Sequence, residues 1–349
     1  MHARRRTVHL LVMSTLCLCG LVAVGCGDDE EPSSGGAQST PEAASIKVGI
    51  VTDIGGLNDR SFNQLANEGL ERAKSELSVE GRALTSRSNA DYVPNLSTLA
   101  QQQYDLVIGV GFLMADAMAT VAKRFPETNF AIIDFPQSGL EGMPPNVRGL
   151  LFKEAEAGYL AGTLAGLYVA EQGGDQVISS VGGQKIPPVD AYIAGFQAGA
   201  EEANPDIETL NGYSQDFVKQ DLCKELALNQ ISEGSQVVFQ VAGQCGLGAL
   251  DAANQEGAQG IGVDADQGYL GAHIITSALK KVDVAVFDTV KQVQDGSFQG
   301  GEDTIFDVKS GGVGLGQVSE EGSAFQEQVD AVTEQISSGE LTDIPTEVK

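Results

Sequence analysis

Residues 46–67 read IKVGIVTDIGGLNDRSFNQLAN. The segment opens with a short run of apolar and β-branched residues, Ile46 to Val51, the pattern of a buried parallel strand. The run breaks at Thr52-Asp53-Ile54-Gly55-Gly56, and Asp59, Ser61, Phe62 and Asn63 then lead into an amphipathic helix. A strand that ends in a polar, glycine-containing loop before a helix is the ligand-facing corner of an α/β sheet. Working outward, the same alternation continues. Strands are expected at 105–110, 129–134, 147–151, 176–181, 207–213, 236–241, 260–264 and 305–309. Helices are expected at 61–77, 113–124, 154–171, 190–203, 219–233, 247–256, 278–295 and 323–338. Strands joined through helices by short loops form parallel sheets covered on both faces. The 349 residues suffice for two such α/β halves.

The first 25 residues have the layout of a signal peptide: a basic Arg4-Arg5-Arg6, an apolar stretch from Val8 to Val24, and small residues before Cys26. The tract that follows, GDDEEPSSGGAQSTPEAAS, is too polar to bury a core and reads as a flexible acidic tether over 26–45. This layout resembles a bacterial lipoprotein signal with Cys26 as the lipidated residue; secretion after the same cleavage is the alternative. Either way the protein is expected outside the cytoplasmic membrane, on its outer face or in the periplasm. The formal net charge is -27, and the arginines before Cys26 leave 18 basic against 48 acidic residues, a balance of -30. So acidic a chain disfavours nucleic acid and polyanionic ligands. Cys223 and Cys245 remain after Cys17, Cys19 and Cys26 are set aside, and in an oxidising compartment they are a candidate disulfide. Such a bridge would contribute about 3 kcal/mol in the chain-entropy model. Two buried thiols are the alternative.

Other function classes fit poorly. GVGFLM at 109–114 and GGVGLG at 311–316 lack dinucleotide-binding glycine spacing, so no NAD or ATP and no cofactor is expected. His273 is the only histidine after the signal, and no G-x-S-x-G occurs, which argues against a Ser-His-Asp hydrolase. Cys223 and Cys245 lack partners at metal-ligand spacing. No 18-residue apolar run follows the signal.

Seven segments together resemble one family. They are TDIGGLNDRSFNQLANEGL (52–70), VGFLMADAMATVAKRFPETNFAIID (110–134), LFKEAEAGYLAGTLAG (151–166), VGGQKIPPVDAYIAGFQAGA (181–200), VVFQVAGQCGLGALDAA (237–253), GVDADQGY (262–269) and TSALKKVDVAV (276–286). The chain is similar to the basic membrane protein family, also called PnrA-like or Med-type, which are lipoprotein substrate-binding components of ABC importers. The resemblance implies a type I periplasmic-binding-protein fold, two Rossmann-like lobes with parallel sheets joined by hinge strands and a ligand between them. It implies lobe one at 46–150 plus 275–304 and lobe two at 151–274 plus 305–349, with hinge crossings near 150, 274 and 305. It further implies a purine nucleoside as ligand, ABC permease subunits as partners, and no enzymatic activity. A sugar or other small polar signal is the first alternative ligand class; a periplasmic nucleoside-processing enzyme is the second.

By the same resemblance, Phe62 and Phe217 stack on the two faces of the base, although Lys219 and Cys223 depart from the family pattern around Phe217. Asp53, Asn63 and Asp134 lie at or just beyond the ends of predicted strands and suit a nucleobase edge that carries N–H groups, since carboxylates accept and an amide does both. Asp53 also suits a turn or helix cap. Gly243 permits close backbone approach. Asp264, at the end of GIGVD, is placed to accept from two ribose hydroxyls, and Lys280 matches a family lysine that reaches the sugar. Asp59 and Glu154 are read as helix-terminal residues, and Phe239 as core.

Overall fold

The computed structural model describes residues 45–348. Along the chain the elements are β1 (Lys47–Ile54), α1 (Phe62–Glu76), β2 (Glu80–Ser86), α2 (Tyr92–Gln101), β3 (Leu106–Gly109), α3 (Ala115–Arg124), β4 (Asn129–Ile133), β5 (Val147–Phe152) and α4 (Glu154–Gln172). There follow β6 (Val177–Gly182), α5 (Pro187–Ala203), β7 (Glu208–Tyr213), α6 (Gln220–Ser232), β8 (Ser235–Val241), α7 (Gly243–Glu256) and β9 (Gln259–Asp264). The last are β10 (Ile274–Lys280), α8 (Val282–Gln294), β11 (Asp303–Phe306), β12 (Val313–Leu315) and α9 (Gln326–Ser338).

The strands form two six-stranded sheets, ordered β11-β5-β4-β3-β1-β2 and β12-β10-β9-β8-β6-β7. All pairings are parallel except β10 with β12. Helices cover both faces of the central strands, so Val48, Ile50, Val51, Leu106, Val107, Ile108, Val237, Val238 and Phe239 are fully buried and their sequences read as continuous apolar runs rather than alternating ones. In each sheet the chain leaves the first strand on one side and returns on the other: β1 lies between β2 and β3, and β6 between β7 and β8. Such reversals open a crevice beyond the carboxyl ends of the two neighbouring strands. The ends of β1 and β3 in one sheet and of β6 and β8 in the other therefore fix where a ligand site can form.

Three connections cross between the sheets. Lys153 joins β5 to α4, Lys281 joins β10 to α8, and residues 307–312 join β11 to β12. The second and third crossings correct the sequence expectation. Residues 275–280, expected at the start of a helical stretch in lobe one, are a strand of the second sheet, with Ile274 opposite Gly260 and Leu279 opposite Asp264. Ala278-Leu279-Lys280-Lys281 are good helix formers, but nearly all of Ile274–Lys280 is buried beside β9 and α4, and tertiary packing overrides that propensity. The helix begins only at Val282 and returns to the first sheet's side, packing on α1. Conversely, Asp303–Phe306 pairs with Gly149–Phe152 and belongs to the first sheet.

Two elements between 78 and 104, β2 and α2, lie outside the expected strands and helices. β2 is an edge strand with the mixed sequence EGRALTS and only one buried residue, which mutes the periodic signal. α2 carries Pro94 in its first turn, where a proline is tolerated. Among the described residues, no helix is long and apolar enough to cross a membrane.

Candidate functional site

The residues singled out in the sequence converge. Asp53, Phe62, Asn63, Asp134, Phe217, Gly243, Asp264 and Lys280 all line one cleft, with the ends of the first sheet's strands on one side and those of the second on the other. They stand at or just beyond carboxyl-terminal strand ends, at the start of the following helix or, for Phe217, in the loop between the two, as the reversed strand order requires.

On the first sheet's side, Asp53 lies in β1 and Phe62 and Asn63 open α1. The Asp59 carboxylate accepts from the backbone N–H groups of Ser61 (3.1 Å), Asn63 (2.8 Å) and Gln64 (3.0 Å). It thus satisfies otherwise unpaired donors at the helix start, although it also borders the cleft. Asn63 Oδ1 accepts from the Asp53 N–H at 2.9 Å, which leaves the amide Nδ2 as its donor end. Asp53 Oδ1 accepts from the Ile54 N–H at 2.6 Å and from the Tyr92 hydroxyl. Burial pushes the Asp53 carboxyl up to about 6, against the lowering effect of those two donors.

On the second sheet's side, Phe217 lies in the loop between β7 and α6. Its ring lies against Gly183, where a Cβ would collide with it. The Phe217 carbonyl accepts from the Cys245 N–H at 3.0 Å. Cys245 is joined to Cys223 by a disulfide, with Cα atoms 5.6 Å apart, so the starts of α6 and α7 are tied together beside the Phe217 loop. Gly243 opens α7 at φ +54°, a left-handed conformation that glycine adopts without a Cβ penalty.

At the centre is Lys280, 2% exposed, at the end of β10. Its Nζ lies 2.7 Å from Asp134 Oδ1 and 2.8 Å from Glu154 Oε1. It also sits 5.2, 5.0 and 6.0 Å from the ring centroids of Phe62, Phe152 and Tyr192, within cation–π range. Burial by itself would lower the Lys280 ammonium; Asp134, Glu154 and Asp264 outweigh it and hold the group above the ordinary lysine value. Burial raises the Asp134 carboxyl, partly offset by Lys280. It raises Glu154 to about 7 and Asp264 to about 6, again with Lys280 opposing. Asp264 Oδ2 accepts from Ser61 Oγ–H at 2.6 Å, and Oδ1 from the Tyr192 hydroxyl at 3.4 Å.

One buried ammonium thus pairs with two carboxylates, Asp134 and Glu154, and feels a third, Asp264, through space, while Asp53 and Asp59 border the same cleft. The arrangement has a surplus of acceptors, and the one central cation is already compensated. It suits an uncharged ligand rich in N–H and O–H donors and repels phosphate. Asp134 and Asp264 sit in left-handed backbone conformations, φ +68° and +60°, which are uncommon for residues other than glycine and which cluster at ligand sites.

The sequence reading missed several contributors. Glu154 was read only as a helix-start acid, yet it is buried against Lys280. Tyr92 lies between 78 and 104, where the periodic signal is weak, Ser61 is one residue of the corner before α1, and Tyr192 sits within the expected helix 190–203 with no signal of its own. Phe112, a further aromatic of the cleft, lies in GVGFLM, whose glycines are its more conspicuous feature. Cys26 lies outside the described residues. Among the described residues, no cluster of His, Cys, Asp and Glu is arranged to hold a metal ion.

Residues 46–344 match the protein family described as ABC transporter substrate-binding protein PnrA-like. Among curated relatives, an uncharacterized lipoprotein of Pyrococcus abyssi is 37% identical over 323 residues, covering 89% of this chain and 77% of the relative. The ABC transporter nucleoside-binding protein BmpA of Lactococcus lactis is 33% identical over 331 residues, covering 88% of this chain and 91% of the relative. Among solved structures, an ABC transporter solute-binding protein from Aeropyrum pernix K1 superposes with a TM-score of 0.78 at 29% identity, covering 86% of this chain and 94% of that one.

Proposed function

The chain belongs to the PnrA-like family of ABC transporter substrate-binding proteins, and on that premise we propose that it captures a purine nucleoside between its two sheets. As a binding component it carries a small molecule to permease and ATPase subunits and performs no chemistry on it. The observation that carries the nucleoside reading is the pairing of two phenylalanines from opposite sides of one cleft, Phe62 and Phe217, with acceptor-rich ends. A planar base fits between the rings, where aromatic contacts contribute about 0.5–1.5 kcal/mol beyond area burial. The Asn63 amide and the Asp53 carboxylate read the base edge, and Asp134 adds an acceptor. Asp264 accepts from the vicinal hydroxyls of the ribose, Lys280 reaches the sugar, and Gly243 lets the backbone approach. The name of the Lactococcus lactis relative supports the same ligand class.

The test is titration calorimetry with guanosine, adenosine, inosine, uridine, guanosine monophosphate, ribose and xylose, followed by recovery of the titrated compounds. Purine nucleosides are expected to bind and to be recovered unchanged. The monophosphate is expected to bind at least about 100-fold more weakly, a difference of about 2.7 kcal/mol. Binding of a pentose without response to any purine nucleoside would overturn the reading, and conversion of a nucleoside would restore the enzyme alternative.

We further propose that Cys26 carries a lipid and tethers the protein to the outer face of the cytoplasmic membrane through residues 26–45. The lipoprotein relative from Pyrococcus abyssi is consistent with this. Mass spectrometry of the mature amino terminus is expected to show a diacylglyceryl group on Cys26; an unmodified cysteine contradicts it.

A further inference from the structure

Gln267 closes the segment GVDADQ and has no part in the ligand contacts proposed above. It is fully buried, and its amide belongs to a relay with a single consistent orientation. The Ala242 N–H donates to Gln240 Oε1 at 3.1 Å, so the other end of that amide is a donor. Gln240 Nε2 donates to Gln267 Oε1 at 2.8 Å, and the Val263 N–H donates to the same oxygen at 3.2 Å. Two donors on Gln267 Oε1 leave Nε2 as the free end. It donates across the cleft to the Arg60 carbonyl at 3.2 Å. Gly262 leaves room for this side chain, because a Cβ there would lie 2.7 Å from Gln267 Oε1.

The acceptor is well defined too. Arg60 precedes Ser61, Phe62 and Asn63 and holds φ +57°, a conformation uncommon for arginine. One residue on, Ser61 Oγ–H donates to Asp264 Oδ2 at 2.6 Å. Both bonds join the loop after β1 to the end of β9 and the turn beyond it. They exist only while the two sheets face each other closely.

We infer that Gln267 is a closure-positioning residue: its oriented amide docks the Arg60 carbonyl, and with it the Phe62–Asn63 corner, when the lobes come together, without itself touching the ligand. The relay is built within the second lobe by backbone donors and so stands ready before closure. A ligand then gains affinity from closing the lobes as well as from its own contacts, since binding energy is reduced by the fraction of protein not in the competent state.

The inference rests on the nucleoside reading for its affinity measurements, but its primary measurement needs no ligand. Gln267→Glu keeps the acceptor for Gln240 and Val263 and replaces the donor facing Arg60 with a second acceptor. Spin labels on exposed sites of α3 and α6 report the lobe-to-lobe distance. Without ligand, the Gln267→Glu protein is expected to shift to longer distances than the wild type. For every nucleoside that binds, affinity is expected to fall by about tenfold, mostly through faster dissociation, with the order of preference unchanged. An altered order of preference would overturn the inference by making Gln267 a ligand contact, and so would unchanged distances. Should Gln267→Glu fail to fold, Ser61→Ala removes the companion bond without burying a charge, and the same shift in distance is required of it. If no nucleoside binds the wild type, the ligand reading fails while the distance measurement still decides the closure role.

Discussion

The two sheets are built to one plan and carry unequal chemistry. Reading β1 with β6, β2 with β7, β3 with β8, β4 with β9 and β5 with β10, the strand orders coincide. Asp134 follows β4 and Asp264 ends β9, both with buried side chains and both left-handed. The matched strands β5 and β10 end in Phe152 and in Lys280. Placing a cation at only one of the two equivalent ends separates the aspartates. Asp134 is committed to Lys280 at 2.7 Å, whereas Asp264 meets only hydroxyl donors, one of them at 3.4 Å. The first aspartate is held chiefly by a protein cation, and the second is the one proposed to meet the ribose. Shared topology fixes where the groups stand, and their partners decide what each can do.

The largest test of that contrast removes the cation. Lys280→Met leaves Asp134 and Glu154 buried without a counter-charge, and an unpaired buried charge costs about 3–5 kcal/mol. Urea unfolding followed by circular dichroism is expected to show a loss of that order; unchanged stability would mean that the ion cluster does not hold the second crossing. Asp264→Asn sharpens the contrast from the other side. Nucleoside affinity is expected to fall about 10- to 100-fold, the worth of charge-assisted bonds of about 1.5–3 kcal/mol, while the ligand-free protein keeps or gains stability. Asp134→Asn is expected to cost stability as well as affinity, because Lys280 loses one of its two close carboxylates. If the two variants behave alike, the division of roles is wrong.

Smaller effects follow for the rings and for pH. Phe62→Ala and Phe217→Ala are each expected to weaken binding by about tenfold without unfolding the protein, and equal losses of stability and affinity would make them core residues. For pH, Asp53 and Asp264 titrate near 6 and Glu154 near 7 in the folded protein, above their unfolded values of about 4. A raised carboxyl means the folded state holds its proton more tightly, so stability contributed by these groups falls as pH rises from about 4 to about 7. The ligand-free melting temperature is expected to be higher at pH 5.5 than at pH 8, by about 2 °C. Nucleoside affinity should move the opposite way, because a protonated Asp264 accepts less well. Asp264→Asn should flatten part of both trends; a melting temperature that falls on acidification through this window contradicts the assignment.

Much of this was legible in the sequence, for a physical reason. Central parallel strands such as VGIV and VVFQV are buried on both faces and announce themselves as apolar runs, and the polar residue after each run marks the ligand-facing end. Edge and crossing elements gave weaker signals. β2 is half exposed, and Ile274–Lys280 is a strand composed partly of helix formers, so its place in the second sheet depends on a pairing with β9 that no local pattern encodes. The cleft shows the same limit. Asp53, Phe62, Asn63 and Asp264 stand at recognisable corners, but Glu154 matters because of Lys280, 126 residues away, and Tyr92 because of Asp53, 39 residues away. Single-residue character is local, whereas compensation of charge is a property of the fold.

The proposed ligand is a purine nucleoside with its base between the two phenylalanines and its sugar at Asp264. A crystal structure of the protein with guanosine or inosine tests it most directly. The base is expected between the rings of Phe62 and Phe217, with the ribose hydroxyls within hydrogen-bond distance of Asp264. A nucleoside lying with its ribose against Asp53 and Asn63, or bound outside this cleft, would contradict it.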